Sequence, residues 1–190
     1  NSSNDVSGAI YLPKEPIVSD CVMNIENTFK LNDLKQDGSI TAVRIEGSKN
    51  SIDHRIENLI NELRINNLNI SILETHQSKI FWNKVKNLEF FSNSKNSILR
   101  IVIPPAEPPS ECVKLIYQFS NQFKYYLDWG GALIWMEAFE LSEELFESIR
   151  RKVVKLGGYV TMIKNSEYLP YVEDVFTINR DRFNISQNIK

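Results

Sequence analysis

The clearest pattern of hydrophobic and polar positions lies between residues 97 and 164. An apolar run at 97–103 predicts a strand. A helix is predicted next, because apolar residues recur at the i, i+3, i+4, i+7 spacing of a buried stripe. That stripe consists of Cys112, Leu115, Ile116 and Phe119. Runs at 123–127 and 132–137 then predict two strands. They flank Asp128–Gly131, whose glycines suit a hairpin turn because glycine reaches positive φ without steric cost.

A second helix is strongly indicated after residue 141. Ser142 can cap its N-terminus, and acidic residues in the first turn and basic residues in the last suit the helix dipole. Its apolar face is formed by Leu145, Ile149, Val153 and Leu156. Gly157 is a natural residue to end the helix, and 158–163 predicts a closing strand. The order β-α-β-β-α-β over residues 97–164 is the ferredoxin-like pattern.

The first half of the chain, residues 7–96, has a looser pattern. Its predicted elements, in order, are a strand at 7–12, a strand at 40–46, a helix between Ser48 and Asn66, a strand at 68–73 and a helix at 75–91. The stretch 17–31 is ambiguous between strand and loop. The predicted fold class is therefore α+β, with an antiparallel sheet covered by helices mainly on one face. A degenerate duplication of the ferredoxin-like unit is compatible with this order, although no residue-level repeat supports it.

The length of 190 residues fits one domain or two small ones packed on a shared core, and we predict a single domain. Residues 1–6 are expected to fray, 7–96 to form the first half, 97–164 the ferredoxin-like unit and 165–190 a tail. With 42% hydrophobic and 24% charged residues, the composition suits a folded, soluble chain. Because the first residue is asparagine, we expect a processed N-terminus or a piece of a longer protein.

Charge and hydropathy restrict the classes of partner. The formal net charge is −2, and no basic cluster is interleaved with aromatic residues, so we predict no nucleic-acid partner. The sequence has neither an apolar run of membrane-spanning length nor a signal-peptide pattern, so no direct membrane insertion is predicted. Cys21 and Cys112 are far apart, which favours a reduced chain in the cytoplasm.

Motifs that would identify an enzyme by themselves are missing from the sequence. There is no GxGxxG after a strand, no Walker A loop and no GxSxG elbow. His54 and His76 have no metal-ligand spacing with each other or with either cysteine. The sequence therefore predicts neither catalytic residues nor a metal site.

Arg100 is unusual because it interrupts a continuous apolar strand, on the same face as Ile98 and Val102. Long charged side chains are rarely buried without a partner. One interpretation is an ion pair, or an arginine at a sheet edge that reaches solvent. The other is a planar donor directed at a ligand carboxylate, for which the guanidinium fork is suited.

Asp128-Trp129 is the second unusual place. One interpretation is simple turn chemistry, which aspartate favours, together with a tryptophan in the core. The other is a loop placed at an interface, where tryptophan is enriched.

Six short segments carry a resemblance to a known family. They are Ser7-Gly8-Ala9, Val43-Arg44-Ile45-Glu46-Gly47, Phe81-Trp82, Leu99–Pro105, Asp128–Trp135 and Gly157–Thr161. In their order and spacing, over positions 7–163, they resemble the C-terminal substrate (cap) domain of FAD-linked oxidases, in particular the GlcE-type subunit of glycolate oxidase. The piece Asp-Trp-Gly-Gly-Ala-Leu-x-Trp at 128–135 is the most specific of them.

This resemblance implies a parent enzyme in which an N-terminal domain, absent from this sequence, binds FAD. The present chain would be the cap domain that covers the flavin and shapes the site for a 2-hydroxy acid such as glycolate. The implied partners are that FAD-binding domain, a second flavin subunit and an iron-sulfur subunit. Arg100, Asp128, Trp129, Gly130 and Gly131 would face the flavin or substrate. We expect the chain to bind no FAD alone and to be catalytically inert alone.

The sequence also departs from the family. Its ending at 179–185 replaces the usual Lys-x-x-Phe-Asp-Pro pattern, and the stretch 13–36 is longer than usual. Two alternatives therefore stay open. The chain could be a non-catalytic assembly subunit that braces a partner flavoprotein, or a stand-alone ferredoxin-like regulatory module, since fold alone does not fix function.

Overall fold

A computed structural model gives the architecture. It describes residues 4–13, 39–63, 70–104 and 123–166, together with Lys114 and Gln118. The predicted helix with the Cys112–Phe119 stripe, the ambiguous stretch 17–31 and the tail beyond residue 166 lie outside the described residues, apart from Lys114 and Gln118.

The described residues form an α+β structure with antiparallel strands, as the sequence predicts. The elements in chain order are β1 (Val6–Leu12), β2 (Ile40–Ile45), α1 (Lys49–Glu62), α2 (Thr75–Lys86), β3 (Ser97–Val102), β4 (Phe123–Asp128), β5 (Leu133–Ala138), α3 (Glu143–Lys155) and β6 (Tyr159–Lys164). Short 3-10 turns lie at Glu89–Phe91 and Trp129–Gly131. Contacts divide the chain into two compact units, each described below by itself. The first unit is Asn1–Ser92 with Asp128–Gly130, and the second is Asn93–Leu127 with Gly131–Lys190.

The second unit contains four strands in the spatial order β4-β5-β3-β6. Strand β3 pairs antiparallel with β5 on one side and with β6 on the other. Because β3 has neighbours on both sides, its nearly continuous apolar sequence is that of an interior strand. Arg100 lies directly opposite Trp135 on β5 and Thr161 on β6.

Helix α3 closes the hydrophobic core of the second unit. The buried cluster comprises Leu99, Ile101, Ile103, Phe123, Ile134, Met136, Ala138, Leu141, Phe146, Ile149, Val153, Val160 and Met162. The predicted ends of the helix are confirmed. The Ser142 hydroxyl accepts from the backbone N–H of Leu145 at 3.2 Å, and Gly157 ends the helix with φ of +73°.

Gly158 lets the start of β6 approach β3 closely. A Cβ atom at this position would lie 2.3 Å from the backbone oxygen of Val102 and 2.9 Å from Cγ1 of Val153. No real side chain tolerates the first distance, because a backbone atom cannot swing away. The glycine is therefore required by the packing of α3 and β6 against β3.

In the first unit, β1 and β2 pair antiparallel, with Gly8 opposite Arg44. The Trp82 ring of α2 occupies the space above Gly8, where an added Cβ would lie 3.1 Å from Cη2. The guanidinium carbon of Arg44 lies 6.0 Å from the centre of the Trp82 ring. Three segments that carry the family resemblance, around Gly8, Arg44 and Trp82, thus meet in one packing arrangement.

Two predictions for the first half are wrong. Residues 70–73, the described part of the strand predicted at 68–73, form no strand, and Ile72 is 63% exposed. Helix α2 ends at Lys86 rather than at 91, because Leu88 adopts a left-handed conformation with φ of +54° before a separate 3-10 turn. The sequence around this helix end contains no glycine or proline that would have predicted it.

Arg55 joins three parts of the first unit through backbone carbonyl groups. Its Nε donates to the oxygen of Asn4 at 2.9 Å, Nη1 to Glu46 at 2.9 Å and Nη2 to Asp5 at 3.0 Å. The carbonyls of Asn4 and Asp5 precede β1, and that of Glu46 follows β2. One side chain of α1 therefore fixes the entry to β1 and the exit from β2.

Candidate functional site

Arg100 lies on the face of the second unit's sheet that is opposite α3. Its neighbours Leu99 and Ile101 are fully buried in the core beneath the helix. Because side chains alternate along a strand, Arg100 points the other way, and it is half-buried there. The predicted placement on one face with Ile98 and Val102 follows from the same alternation.

Two aromatic rings hold the Arg100 guanidinium. Its Cζ lies 5.9 Å from the centre of the Trp135 ring on β5 and 5.9 Å from the centre of the Tyr159 ring on β6. Nη1 also donates to the Tyr159 hydroxyl at 3.3 Å. Such cation–π contacts contribute about 0.5–2 kcal/mol each. Arg100 has at least one further polar or ring contact. The guanidinium is thus held in a defined place by contacts with two neighbouring strands.

We call Arg100, Trp135, Tyr159 and Thr161 the Arg100 cluster. Thr161 lies directly across from Arg100 on β6 and is half-buried. Beyond Trp135 the row continues to Tyr126 on β4, whose ring centre lies 6.4 Å from that of Trp135. Tyr126 is fully buried. The row of side chains is therefore buried from solvent at Tyr126 and partly exposed at Arg100.

The Asp128 turn, residues 128–131, joins β4 to β5, as the sequence predicts. The Asp128 carboxylate accepts from the backbone N–H of Trp129 at 2.7 Å. Trp129, Gly130 and Gly131 have φ of +52°, +64° and +97° in succession. Glycine adopts this conformation freely, but a tryptophan in it costs about 1 kcal/mol. The Asp128 hydrogen bond helps to hold Trp129 in that conformation.

The Trp129 side chain is 59% exposed. The interpretation of this residue as a core tryptophan is therefore wrong. The interpretation of the turn as local aspartate and glycine chemistry is confirmed by its geometry. The alternative interpretation, a tryptophan placed at an interface, stays a prediction.

The predicted site residues form two separate features. Asp128, Trp129, Gly130 and Gly131 make up one turn, whereas Arg100 belongs to the second unit's sheet. Sequence reasoning missed the neighbours of Arg100, which are Trp135, Tyr159 and Thr161. Each lies at an alternating position of its strand, but only the pairing register reveals which of them reach Arg100.

A second polar cluster closes the other end of β5. Glu137 is buried, and its Oε1 accepts from the Ser94 hydroxyl and, at 2.7 Å, from the amide of Asn96. Lys164 donates to the backbone oxygen of Ser94. Every one of these contacts ties the segment before β3 to the sheet. The cluster satisfies a buried carboxylate and is structural.

A shallow cavity of about 370 Å³ lies at the start of α3. It is lined by Glu143, Glu144, Glu147 and Arg151 and contains none of the predicted site residues. Carboxylates at this end of a helix complement its dipole.

No group of three or more histidine, cysteine, aspartate or glutamate side chains that could hold a metal occurs within the described ranges. In the same ranges, no helix is both long and apolar enough to cross a membrane.

The described residues do not fit FAD. A dinucleotide needs glycines whose backbone N–H groups approach the pyrophosphate at a helix N-terminus. The space beside Gly158 is occupied by the backbone of Val102. Gly130 and Gly131 follow Asp128 in a hairpin turn and do not lie at the start of a helix.

Comparisons with known proteins found no matching family model, no matching curated protein and no matching solved structure.

Proposed function

We propose that this chain is the cap or substrate domain of a FAD-dependent 2-hydroxy-acid oxidoreductase, and that Arg100 binds the carboxylate of the acid. The observation that carries the proposal is the guanidinium of Arg100, held between Trp135 and Tyr159 on a half-exposed sheet face. The family resemblance of the sequence supplies the flavin and the class of substrate.

An arginine is suited to this role for electrostatic and geometric reasons. Its guanidinium is always charged at physiological pH, and its planar fork matches the two oxygens of a carboxylate. A side chain already held by two rings loses little conformational freedom when a ligand binds. Because Arg100 has a further contact in the molecule, a bound carboxylate would join that contact or replace it.

In the proposed enzyme, the flavin carries the redox chemistry, and this chain contributes binding, orientation and exclusion of water. The FAD-binding domain, a second flavin subunit and an iron-sulfur subunit are the partners that the proposal requires. The chain would be inert by itself. Glycolate is the substrate to test first, because the resembled subunit belongs to glycolate oxidase.

The ferredoxin-like arrangement is part of the same proposal. Numbered within the second unit, β3, β4, β5 and β6 are strands one to four, and their spatial order is two, three, one, four. A β-α-β-β-α-β unit produces this order when each crossover helix packs on the sheet. The strand order supports the proposal, while the helix predicted around Cys112–Phe119 lies largely outside the described residues.

The test is reconstitution with the cognate flavin-domain polypeptide, followed by the visible absorption of the flavin on addition of glycolate or lactate. We expect bleaching with the natural chain. An Arg100→Lys variant should raise the KM for glycolate about 10- to 100-fold, because it loses a charge-assisted pair of hydrogen bonds. The measurement is the initial rate of bleaching against acid concentration.

Arg150→Lys is the matched control. Arg150 also lies over an aromatic ring, at 5.4 Å from Phe146, but it pairs with Glu147 on α3. Its replacement should change the KM less than about twofold, as for a surface ion pair. If both variants shift the KM equally, or if neither does, Arg100 does not bind the substrate.

The assembly-subunit alternative is favoured by the exposed Trp129 on its restricted turn. A domain that only braces a flavoprotein needs such an anchor and needs no carboxylate site. The same reconstitution separates the two functions. A tight complex that holds flavin but is not bleached by either acid would favour bracing over substrate binding.

A further inference from the structure

Thr161 lies opposite Arg100 on β6 and carries a partly exposed hydroxyl group. The neighbours of Thr161 on β6, Val160 and Met162, lie in the core beneath α3. Thr161 therefore faces the opposite side of the sheet, as Arg100 and Tyr159 do. In the part of the chain that the structure describes, its hydroxyl makes no hydrogen bond.

A partly exposed hydroxyl can bind either water or a ligand, whereas a valine of nearly the same shape would offer no polar group. Residues that lie directly opposite in an antiparallel pair have Cβ atoms about 4.5–5.5 Å apart. The Thr161 hydroxyl thus lies near the Cβ end of the Arg100 side chain, on the face of the sheet where a small molecule would bind Arg100. The Tyr159 hydroxyl, by contrast, already accepts a hydrogen bond from that arginine.

We propose that Thr161 recognises the 2-hydroxyl group of the acid whose carboxylate binds Arg100. This inference rests on the proposed function. In a 2-hydroxy acid, the hydroxyl oxygen is attached to the carbon next to the carboxylate. Thr161 is on the adjacent strand with its Cα opposite that of Arg100, so its hydroxyl lies on the side of the sheet where the acid would bind. Thr161 can donate to this oxygen or accept from it, since a hydroxyl does both.

The consequence is selectivity between acids that differ by one hydroxyl group. Glycolate and acetate carry the same carboxylate, so Arg100 alone would bind both. One hydrogen bond to the extra hydroxyl should make glycolate bind about three- to tenfold more tightly than acetate.

The experiment is a titration of the full chain with sodium glycolate and with sodium acetate at constant ionic strength. The readout is the shift of the Trp135 indole N–H signal in a ¹H–¹⁵N correlation spectrum, because this ring contacts Arg100. In Thr161→Val we expect acetate to bind as before and the preference for glycolate to disappear. Thr161→Ser, which restores the hydroxyl, should retain the preference.

Thr41→Val is the matched control, because Thr41 is a strand threonine that is exposed on β2 in the first unit. It should leave both affinities unchanged. The spectra of all variants also report directly whether the fold is kept.

The outcomes separate the two proposals. If acetate affinity depends on Arg100 but the preference for glycolate survives in Thr161→Val, the inference about Thr161 is overturned and the carboxylate site stands. If neither acid binds, or if Arg100→Lys leaves acetate affinity unchanged, the carboxylate site itself is wrong and the inference falls with it.

Discussion

Helices α1 and α3 are nearly equal in length, at 14 and 13 residues, but they are held in different ways. α3 buries Phe146, Ile149 and Val153, and it has a side-chain cap, acidic residues in its first turn and basic residues in its last. α1 has no buried residue, no side-chain cap bond at Ser48 and no charges placed to suit its dipole.

Polar contacts to the rest of its unit help to support α1. Arg55, on this helix, donates three hydrogen bonds to backbone carbonyls before β1 and after β2. The comparison shows that two amphipathic helices in one chain can be stabilised by different kinds of interaction. Burial and local capping hold α3, whereas a long-range network of hydrogen bonds contributes to holding α1. The same substitution should therefore have different costs in the two units.

The largest difference is expected for removal of an isoleucine side chain. Ile149 of α3 is fully buried, so Ile149→Ala should lower the free energy of unfolding by about 3 kcal/mol. Ile56 of α1 is only half-buried, so Ile56→Ala should cost about 1 kcal/mol. Urea unfolding followed by circular dichroism measures both. Equal losses would show that burial does not distinguish the two helices.

Close packing of the second unit is tested at Gly158. A Cβ there would meet the backbone oxygen of Val102, so Gly158→Ala should cost about 2 kcal/mol through forced backbone movement. Its neighbour Gly157 has a positive φ but only an ordinary contact, at 3.5 Å from Pro104. Gly157→Ala should therefore cost about 1 kcal/mol. Thermal unfolding of the two variants, measured side by side, gives the order of their stability losses. A larger loss for Gly157→Ala would contradict the close approach of Gly158 to Val102.

The smallest expected effect concerns the caps. Ser142→Ala removes a hydrogen bond to the backbone of Leu145 and should cost about 1 kcal/mol. Ser48→Ala removes no such bond and should change stability by less than about 0.5 kcal/mol. Urea midpoints at constant m-value compare the pair. A loss at Ser48 that matched the loss at Ser142 would place a cap interaction at α1 as well.

The sequence predicted α3 and the Asp128 turn well because their signals are local. The cap, the charged residues in the first and last turns and the terminal glycine all belong to α3 or directly follow it. The two glycines of the turn determine its backbone conformation where they stand. The prediction of a strand at 68–73 is wrong for its described part, 70–73, because an apolar segment becomes a strand only when a partner is present, and partners are distant in sequence.

The candidate site was predictable only in part, for the same reason. Arg100 was visible as a charge inside an apolar strand, which needs no knowledge of neighbours. Trp135, Tyr159 and Thr161 were not, because their proximity to Arg100 depends on the register of β3 with β5 and β6. The exposure of Trp129 was likewise a property of the folded chain.

The Arg55 contacts have a consequence for mutational tolerance. All three acceptors are backbone carbonyls, so the residues that supply them can change identity while the hydrogen bonds persist. Position 5 should tolerate fewer residue types than the others, because its φ of +44° favours aspartate, asparagine or glycine. Position 55 has no such freedom, since only a guanidinium carries donors on three nitrogens in a rigid fork. Substitutions should therefore be tolerated at the positions that supply the carbonyl groups much more readily than at Arg55 itself.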